Sequence, residues 1–273
     1  MTVFGMLRIR NEGRWIREVI AAALPLCERV FVLDDHSTDA TDEICERMGP
    51  KVTVIRSAFE GFDESRDREY LLGRVMNGVS DVHLRGDENS PFWALAIDGD
   101  ELLDPAGVEA IRFTLATTSH HAFKLPIRYL WNADVSQILD GIYHEPTRAS
   151  LVGARSVRMD GVYQTFARPS IFRLMNRNFR FQRTPFGNGA NFHCSSIPQE
   201  LLHASHLLIP GAPLWHLGYN DRDDRVRKYE WYNRLDPNNE SEDSYRHMVQ
   251  GDVPEIPADA VLKHAGPLRL EMM

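Results

Sequence analysis

The chain has few cysteines, and their spacing argues against two common kinds of stabilisation. Of its 273 residues only three are cysteine, namely Cys27, Cys45 and Cys194, and no two of them form a Cys-x-x-Cys pair. An odd and scattered set argues against a disulfide framework and against a structural zinc site. We therefore predict three free thiols that pack as small apolar side chains in a reducing compartment.

Positive charge and long apolar runs are also scarce. The formal net charge is -8, which argues against a nucleic-acid-binding surface. The most apolar run, residues 19–26, is far shorter than the roughly 20 residues that a membrane-spanning helix needs. The first nine residues have the pattern of a strand and not the pattern of a signal peptide. We predict a soluble, cytoplasmic protein without a transmembrane segment or a nucleic-acid partner.

The sequence also lacks the glycine-rich turn of dinucleotide-binding enzymes. No GxGxxG pattern follows the first apolar run, which counts against an NAD or FAD enzyme. Charged residues stand there instead: Arg8, Arg10 and Glu12 around Asn11.

Four short apolar runs alternate with helical patterns in the first hundred residues. The runs cover residues 3–7, 30–33, 52–55 and 92–97, and helical periodicity covers residues 14–24, 40–48 and 66–76. This alternation predicts an α/β fold with a Rossmann-like, mostly parallel sheet and helices on both faces. Prolines divide the second half into shorter pieces. We expect one domain made of residues 1–125 and a completing half of residues 126–250, followed by an irregular tail of residues 251–273.

Polar clusters follow three of the predicted strands, at residues 8–12, 34–39 and 98–101. In open parallel sheets, ligands bind beyond the carboxyl ends of the strands. Clusters that are far apart in the sequence should therefore converge there, and this convergence predicts a binding site.

The cluster at residues 98–101 is an acidic turn, Asp98-Gly99-Asp100-Glu101. Clustered carboxylates repel one another unless a cation neutralises them, and oxygen ligands beside a diphosphate suit Mg²⁺ or Mn²⁺. The alternative is a solvated turn with acidic helix caps, but the position after a very apolar strand favours a site. The segment 34–39 faintly suggests a calcium loop, which we reject because Ala40 stands where the loop requires glycine.

These clusters together resemble a known family. Arg10-Asn11-Glu12, then Leu33-Asp34-Asp35-His36-Ser37-Thr38-Asp39, then Ile97-Asp98-Gly99-Asp100-Glu101, resemble bacterial family 2 glycosyltransferases of the GT-A fold. The family's usual second motif is DDGSTD, so His36 replaces a common glycine. The stretch Trp215-His216-Leu217-Gly218-Tyr219 is similar to the C-terminal region of one bacterial subgroup. The resemblance covers roughly residues 2 to 250.

The resemblance implies a hexosyltransferase-type enzyme that uses a UDP- or GDP-linked sugar, with residues 1–125 as the nucleotide-sugar half and residues 126–250 as the acceptor half. It places Arg8, Arg10, Glu12, Asp34 and Asp35 around the nucleoside, and Arg66 near the base or the diphosphate. Asp98 would meet the ribose or the metal shell. Asp100 would ligate Mg²⁺ or Mn²⁺, with His216 as a second protein ligand. A lone histidine is more often structural, so a backbone carbonyl is the alternative partner for His216.

Most members of this family invert the anomeric centre, with a carboxylate that activates the acceptor hydroxyl. Asp160 is our first choice for that catalytic carboxylate, and Glu145 and Asp140 are its rivals. The acceptor stays open among a glycan, a lipid-linked glycan, a peptide and a natural product. The alternative class is a metal-dependent phosphohydrolase or nucleotidyltransferase, because those enzymes also use strand-end carboxylates. A non-catalytic sugar-binding module is a third alternative, which the intact Asp98 and Asp100 disfavour.

Overall fold

The fold was derived from a computed structural model of the chain. The structure describes residues 1–83, 91–132, 149–152, 155–158, 161–175, 178–181, 194–203, 206–235, 245 and 248–249. Among these residues no helix is long and apolar enough to cross a membrane.

The first half follows the predicted alternation. The elements are β1 (Thr2–Ile9), α1 (Ile16–Ala23), β2 (Arg29–Asp34), α2 (Thr41–Glu46), β3 (Val52–Arg56), α3 (Glu64–His83), β4 (Phe92–Asp98), β5 (Glu101–Leu103), α4 (Gly107–Thr117) and β6 (Ala122–Trp131). All seven elements predicted there occur in the predicted order. The largest difference is α3, which extends beyond residues 66–76 at both ends because its later turns also carry apolar residues for the core.

The later elements are strands and a final helix: β7 (Ala149–Val152), β8 (Arg155–Arg158), β9 (Gly161–Arg173), a 3₁₀ helix (Gln199–Leu201), β10 (Leu207–Leu208), β11 (Leu214–His216) and α5 (Arg222–Leu235). β9, at 13 residues, is longer than the short strands expected in this half. Strands β7 and β8 form a separate antiparallel pair.

The main sheet has the strand order β3-β2-β1-β4-β9-β6-β11-β5, with β10 paired to β6. Strands β1 to β4 are parallel to their neighbours within this group, whereas β9 pairs with β4 in the antiparallel direction. The predicted α/β fold with a mostly parallel sheet is therefore confirmed. Strands β1 and β4 are buried almost throughout, as their apolar sequences require.

Helix α3 supplies one side of the main core. Its apolar residues, from Leu71 to Val82, pack with Phe4, Phe31 and Phe172 of the sheet. Gly78 allows this close approach, because a Cβ atom there would lie 2.7 Å from the Phe31 ring.

The chain divides into two compact units. The first contains residues 1–126 and 167–215, and the second contains residues 127–166 and 216–273. Residues 167–215 join the first unit, because β9 continues the sheet beside β4. The division into residues 1–125 and 126–250 as two functional halves stays a prediction. The predicted tail, residues 251–273, lies outside the described residues.

Candidate functional site

The polar clusters converge at one edge of the first unit. In the register of the parallel strands, Arg8 lies opposite both Leu33 and Asp98, Ile9 lies opposite Asp34, and Asp34 lies opposite Arg56. Parallel strands that end together bring the segments after them to the same edge. The convergence that the sequence predicted is therefore present in the structure.

Arg8 is the centre of a buried ion-pair network. Its Nη2 donates to Asp35 Oδ2 at 2.6 Å and its Nε donates to Asp67 Oδ2 at 3.0 Å. Its guanidinium also lies 4.4 Å from the centroid of the Phe62 ring. Arg10 lies 3.6 Å from the same Asp35 oxygen, and its side chain is 30% exposed, whereas Arg8 and Asp35 are buried. Arg10 is therefore the more accessible of the two arginines.

Residues 57–63, which we call the β3–α3 loop, are held by the side chains of Arg66 and His36. Arg66 donates to the carbonyl oxygens of Glu60 and Gly61 at 3.0 and 2.9 Å, and its guanidinium lies 4.6 Å from the centroid of the Phe59 ring. The ring Nε2 of His36 lies 2.8 Å from the Phe59 carbonyl oxygen. Arg66, which the resemblance placed near the base or the diphosphate, thus anchors this loop in the structure.

The segment after β2 is tied to the segment after β1. The amide of Asn11 donates to Ser37 Oγ at 2.9 Å, and the amide of Thr38 donates to Asn11 Oδ1 at 2.7 Å. Asn11 and His36 both have left-handed backbone conformations, with φ of 55° and 56°. The φ of His36 explains why glycine is common at this position in the similar motif, since glycine adopts that conformation without steric cost.

Asp34 is buried beside this junction. Its Oδ2 accepts the amide of Ser37 at 3.2 Å, while its Oδ1 is buried without a hydrogen-bond partner among the described residues. A buried carboxylate oxygen normally has a donor, so this oxygen is an exception among the described residues.

Two arginines pair with carboxylates of the acidic turn. Arg68 Nη2 donates to Asp98 Oδ1 at 3.1 Å, and Arg168 Nη1 donates to Asp98 Oδ2 at 3.0 Å. Arg168 also donates through Nη2 to Glu101 Oε2, which accepts the backbone amide of Asp98 at 2.9 Å. The sequence suggested a metal ion as the neutralising charge, and the structure adds two guanidinium groups. Arg168 was missed because no local pattern connects it with a turn 70 residues away.

The carboxyl groups of Asp98 and Glu101, which both pair with Arg168, have pKa values that are shifted in opposite directions. Burial acts to raise the pKa of Asp98, but Arg168 and Arg68 outweigh it and hold that pKa well below the usual range. Burial raises the pKa of Glu101 to about 7, with Arg168 opposing the shift and the neighbouring Asp98 and Asp100 adding to it. Asp98 therefore keeps its negative charge at neutral pH.

Gly99 allows the turn to pack tightly against the segment after β1. A Cβ atom at this position would lie 2.8 Å from Glu12 Cγ and 2.9 Å from Ile9 Cγ2. Glu12, which the resemblance assigned to the nucleoside pocket, thus covers the middle of the acidic turn.

Asp100 is the predicted cation ligand of this turn, and it is 3% exposed. Mg²⁺ is commonly held by one or two carboxylates together with substrate phosphates. Among the described residues, no three His, Cys, Asp or Glu side chains are grouped as a metal site. Asp98 and Asp100 belong to the first unit and His216 to the second, so their joint ligation of a metal stays a prediction.

His216 lies among aromatic rings in the second unit. Its ring centroid is 4.7 Å from that of Tyr129 and 4.5 Å from that of Tyr219. Trp215, by contrast, is buried in the first unit, where its Nε1 donates to Asp104 Oδ2 at 2.9 Å. The predicted catalytic carboxylates Asp160 and Glu145, and the rival Asp140, lie outside the described residues.

No protein-family model matches the chain. Two uncharacterized proteins, from Mycobacterium bovis and Mycobacterium tuberculosis, are each 22% identical to it over 240 residues, which is 87% of this chain and 51% of each relative. The chain thus spans about half the length of the curated relatives it matches.

Solved structures that are similar to the chain include two that contain a nucleotide sugar. Residues 1–349 of Staphylococcus aureus TarS, in complex with UDP-GlcNAc, are 14% identical with a TM-score of 0.43, over 91% of this chain and 70% of that chain. Glucosyl-3-phosphoglycerate synthase of Mycobacterium tuberculosis, in complex with Mn²⁺ and UDP-glucose, is 17% identical with a TM-score of 0.29, over 51% of this chain and 46% of that chain. These values are too low to transfer an activity, so the function must be argued from the residues of this chain.

Proposed function

We propose that the protein is a glycosyltransferase of the GT-A type, which moves a sugar from a UDP- or GDP-linked donor to an acceptor hydroxyl with inversion at the anomeric carbon. The observation that carries this proposal is the convergence of Arg8, Asp34, Asp35 and Asp98 at the carboxyl edge of one parallel sheet. That edge is where open α/β sheets bind nucleotides. The motif order that resembles family 2 enzymes supports the same assignment.

The nucleoside binds beside Asp35 and Arg10 in this proposal. Asp35 is held in one orientation by Arg8, and Arg10 is exposed enough to reach a ligand. Arg8 acts by fixing Asp35, since its own guanidinium is already engaged by Asp35, Asp67 and Phe62.

Asp98 and Asp100 serve the ribose and the diphosphate. Asp98 keeps its charge and is 37% exposed, so its oxygens can accept a ribose hydroxyl in addition to the guanidinium hydrogens. Asp100 would hold Mg²⁺ or Mn²⁺, with His216 as the second protein ligand. A cation bound there supplies positive charge that stabilises the leaving diphosphate.

Transfer is a single displacement at the anomeric carbon. The acceptor oxygen forms a bond to that carbon while the bond to the diphosphate oxygen breaks, and the acceptor proton passes to a carboxylate. We assign that carboxylate to Asp160, with Glu145 as the second choice. The leaving group departs as a nucleoside diphosphate.

The decisive test is titration calorimetry of UDP and GDP into the protein with and without Mn²⁺, preceded by a thermal-shift screen of UDP- and GDP-sugars. UDP-GlcNAc and UDP-glucose belong in the screen because the similar structures contain them. We expect one nucleoside diphosphate to bind more tightly with Mn²⁺. Asp100→Asn should abolish this metal dependence, and His216→Ala should weaken metal affinity on the order of tenfold.

Asp81→Asn is the charge-matched control, because Asp81 is exposed on α3, outside the proposed site. It should bind like the wild type. Wild-type metal dependence in Asp100→Asn would overturn the cation assignment. Failure of every nucleotide and nucleotide sugar to bind would overturn the function, and release of phosphate without sugar transfer would favour the phosphohydrolase alternative.

A further inference from the structure

Arg168 contacts both ends of the acidic turn. Its two terminal nitrogens donate to different carboxylates, Nη1 to Asp98 and Nη2 to Glu101. The side chain is 22% exposed, and Glu101 is buried. Glu101 Oε2 also accepts the hydrogen of the Asp98 backbone amide. The turn therefore has one hydrogen bond of its own, between Asp98 and Glu101, and two more from Arg168 to these residues.

The sheet explains why an arginine so distant in sequence reaches this turn. Strand β9 runs antiparallel to β4, with Trp93 opposite Arg173 and Leu95 opposite Ile171. Asp98 and Arg168 each lie three residues from the pair Leu95–Ile171, toward the same end of the two strands. The pairing of β4 with β9 therefore brings the two residues to the same edge, and Arg168 lies on a sheet element.

The charges of the acidic turn explain why Arg168 matters for the geometry of the turn. Three carboxyl groups occur within four residues, at Asp98, Asp100 and Glu101, and Arg68 donates to Asp98. Without Arg168, Asp98 and Glu101 would each lose a guanidinium hydrogen bond, so both side chains would be held less firmly in the turn.

We propose that Arg168 is a positioning residue, which holds Asp98 and Glu101 so that the acidic turn keeps one geometry before any ligand arrives. Arg168 acts through Asp98 and does not itself need to contact the donor. The role of Arg168 in holding the turn rests only on its contacts with Asp98 and Glu101. The effect on nucleotide binding rests on the proposed function.

The first experiment measures the turn directly, in the full chain and without ligand. Amide hydrogen exchange of residues 98–101 is compared between the wild type, Arg168→Gln and Arg173→Gln. Arg173 is the matched control, since it is an arginine of the same strand that pairs opposite Trp93. We expect exchange in the turn to accelerate on the order of tenfold in Arg168→Gln, and to be unchanged in Arg173→Gln.

Arg168→Lys is the conservative variant, and it also serves if Arg168→Gln does not fold. A lysine keeps the charge but cannot form the two-pronged contact, so exchange should lie between that of the wild type and that of the glutamine variant. Unchanged exchange in both Arg168 variants would overturn the proposal.

The second experiment is a double-mutant cycle on nucleotide binding. The dissociation constant for UDP or GDP, whichever binds the wild type, is measured for Arg168→Gln, Asp98→Asn and the double variant. If Arg168 acts through Asp98, each single change weakens binding on the order of tenfold, and the double variant is no weaker than Asp98→Asn. If the two losses of affinity multiply in the double variant, Arg168 acts independently of Asp98. That result would overturn the proposal that Arg168 acts through Asp98.

The two experiments separate the inference from the proposed function. If the wild type binds no nucleotide, the proposed function fails, while the exchange result still decides whether Arg168 holds the turn.

Discussion

Replacement of Gly99 by alanine should destabilise the protein, because the acidic turn is packed without space for a side chain. A Cβ atom there would lie 2.8 Å from Glu12 Cγ, 2.9 Å from Ile9 Cγ2 and 3.1 Å from Glu12 Cβ. Real Cβ atoms do not approach carbon this closely, so the neighbours must move. Glu12 has a flexible side chain and can shift, whereas Ile9 is buried at the end of β1.

The cost of this overpacking is about 1–3 kcal/mol in the free energy of unfolding. For a chain of this size, a loss of about 2 kcal/mol lowers the melting temperature by roughly 4–8 °C. Scanning calorimetry measures this change. If the site is assigned correctly, nucleotide binding should also weaken, since the displaced turn carries Asp98 and Asp100.

Gly73→Ala is the matched control. Gly73 lies inside α3, and a Cβ atom there would meet nothing within 4 Å. Alanine is favoured over glycine in a helix interior by about 0.5–1 kcal/mol, so this variant should melt slightly above the wild type. A Gly99→Ala protein that melts at or above the wild-type temperature would refute the packing argument.

Two further predictions concern residues outside the acidic turn. Burial raises the pKa of Cys27 and of Cys45 to about 12, so both thiols should react slowly in the native protein. Mass spectrometry after treatment with iodoacetamide at pH 8 should find both unmodified in the native protein and labelled in urea. Rapid labelling of the native protein would contradict this. His36→Ala keeps a left-handed residue and loses the bond to the Phe59 carbonyl, whereas His36→Gly removes the backbone strain as well. Urea denaturation should therefore find the glycine variant more stable than the alanine variant by about 1 kcal/mol, and the reverse order would show that φ at this position carries no cost.

The local sequence was sufficient to predict the framework of the site. Apolar runs of four to six residues, separated by helical patterns, predict the parallel strands β1 to β4 because such strands are buried on both faces. Once the strands are parallel, the polar residues that follow them must share an edge. Arg8, Asp35 and Asp98 could thus be placed together from the sequence alone.

The sequence also predicted where charge would accumulate, but not what neutralises it. A run such as Asp98-Gly99-Asp100-Glu101 shows that compensation is needed, and either a metal ion or an arginine can supply it. Which arginines are near depends on the direction and register of β9 and on the face of α3 that turns inward. Arg68 lies in the helical pattern of residues 66–76, which does not indicate that it is buried against Asp98.

The remaining contacts of the site were decided only by the tertiary structure. Asp67 lies 59 residues from Arg8, and Arg168 lies 70 residues from Asp98, so no local period or spacing connects them. Hydrophobic patterning determines which strands and helices form, because burial acts on each segment separately. The partners of a buried charge are determined by strand order, strand direction and helix rotation together, and these arise only when all segments pack at once.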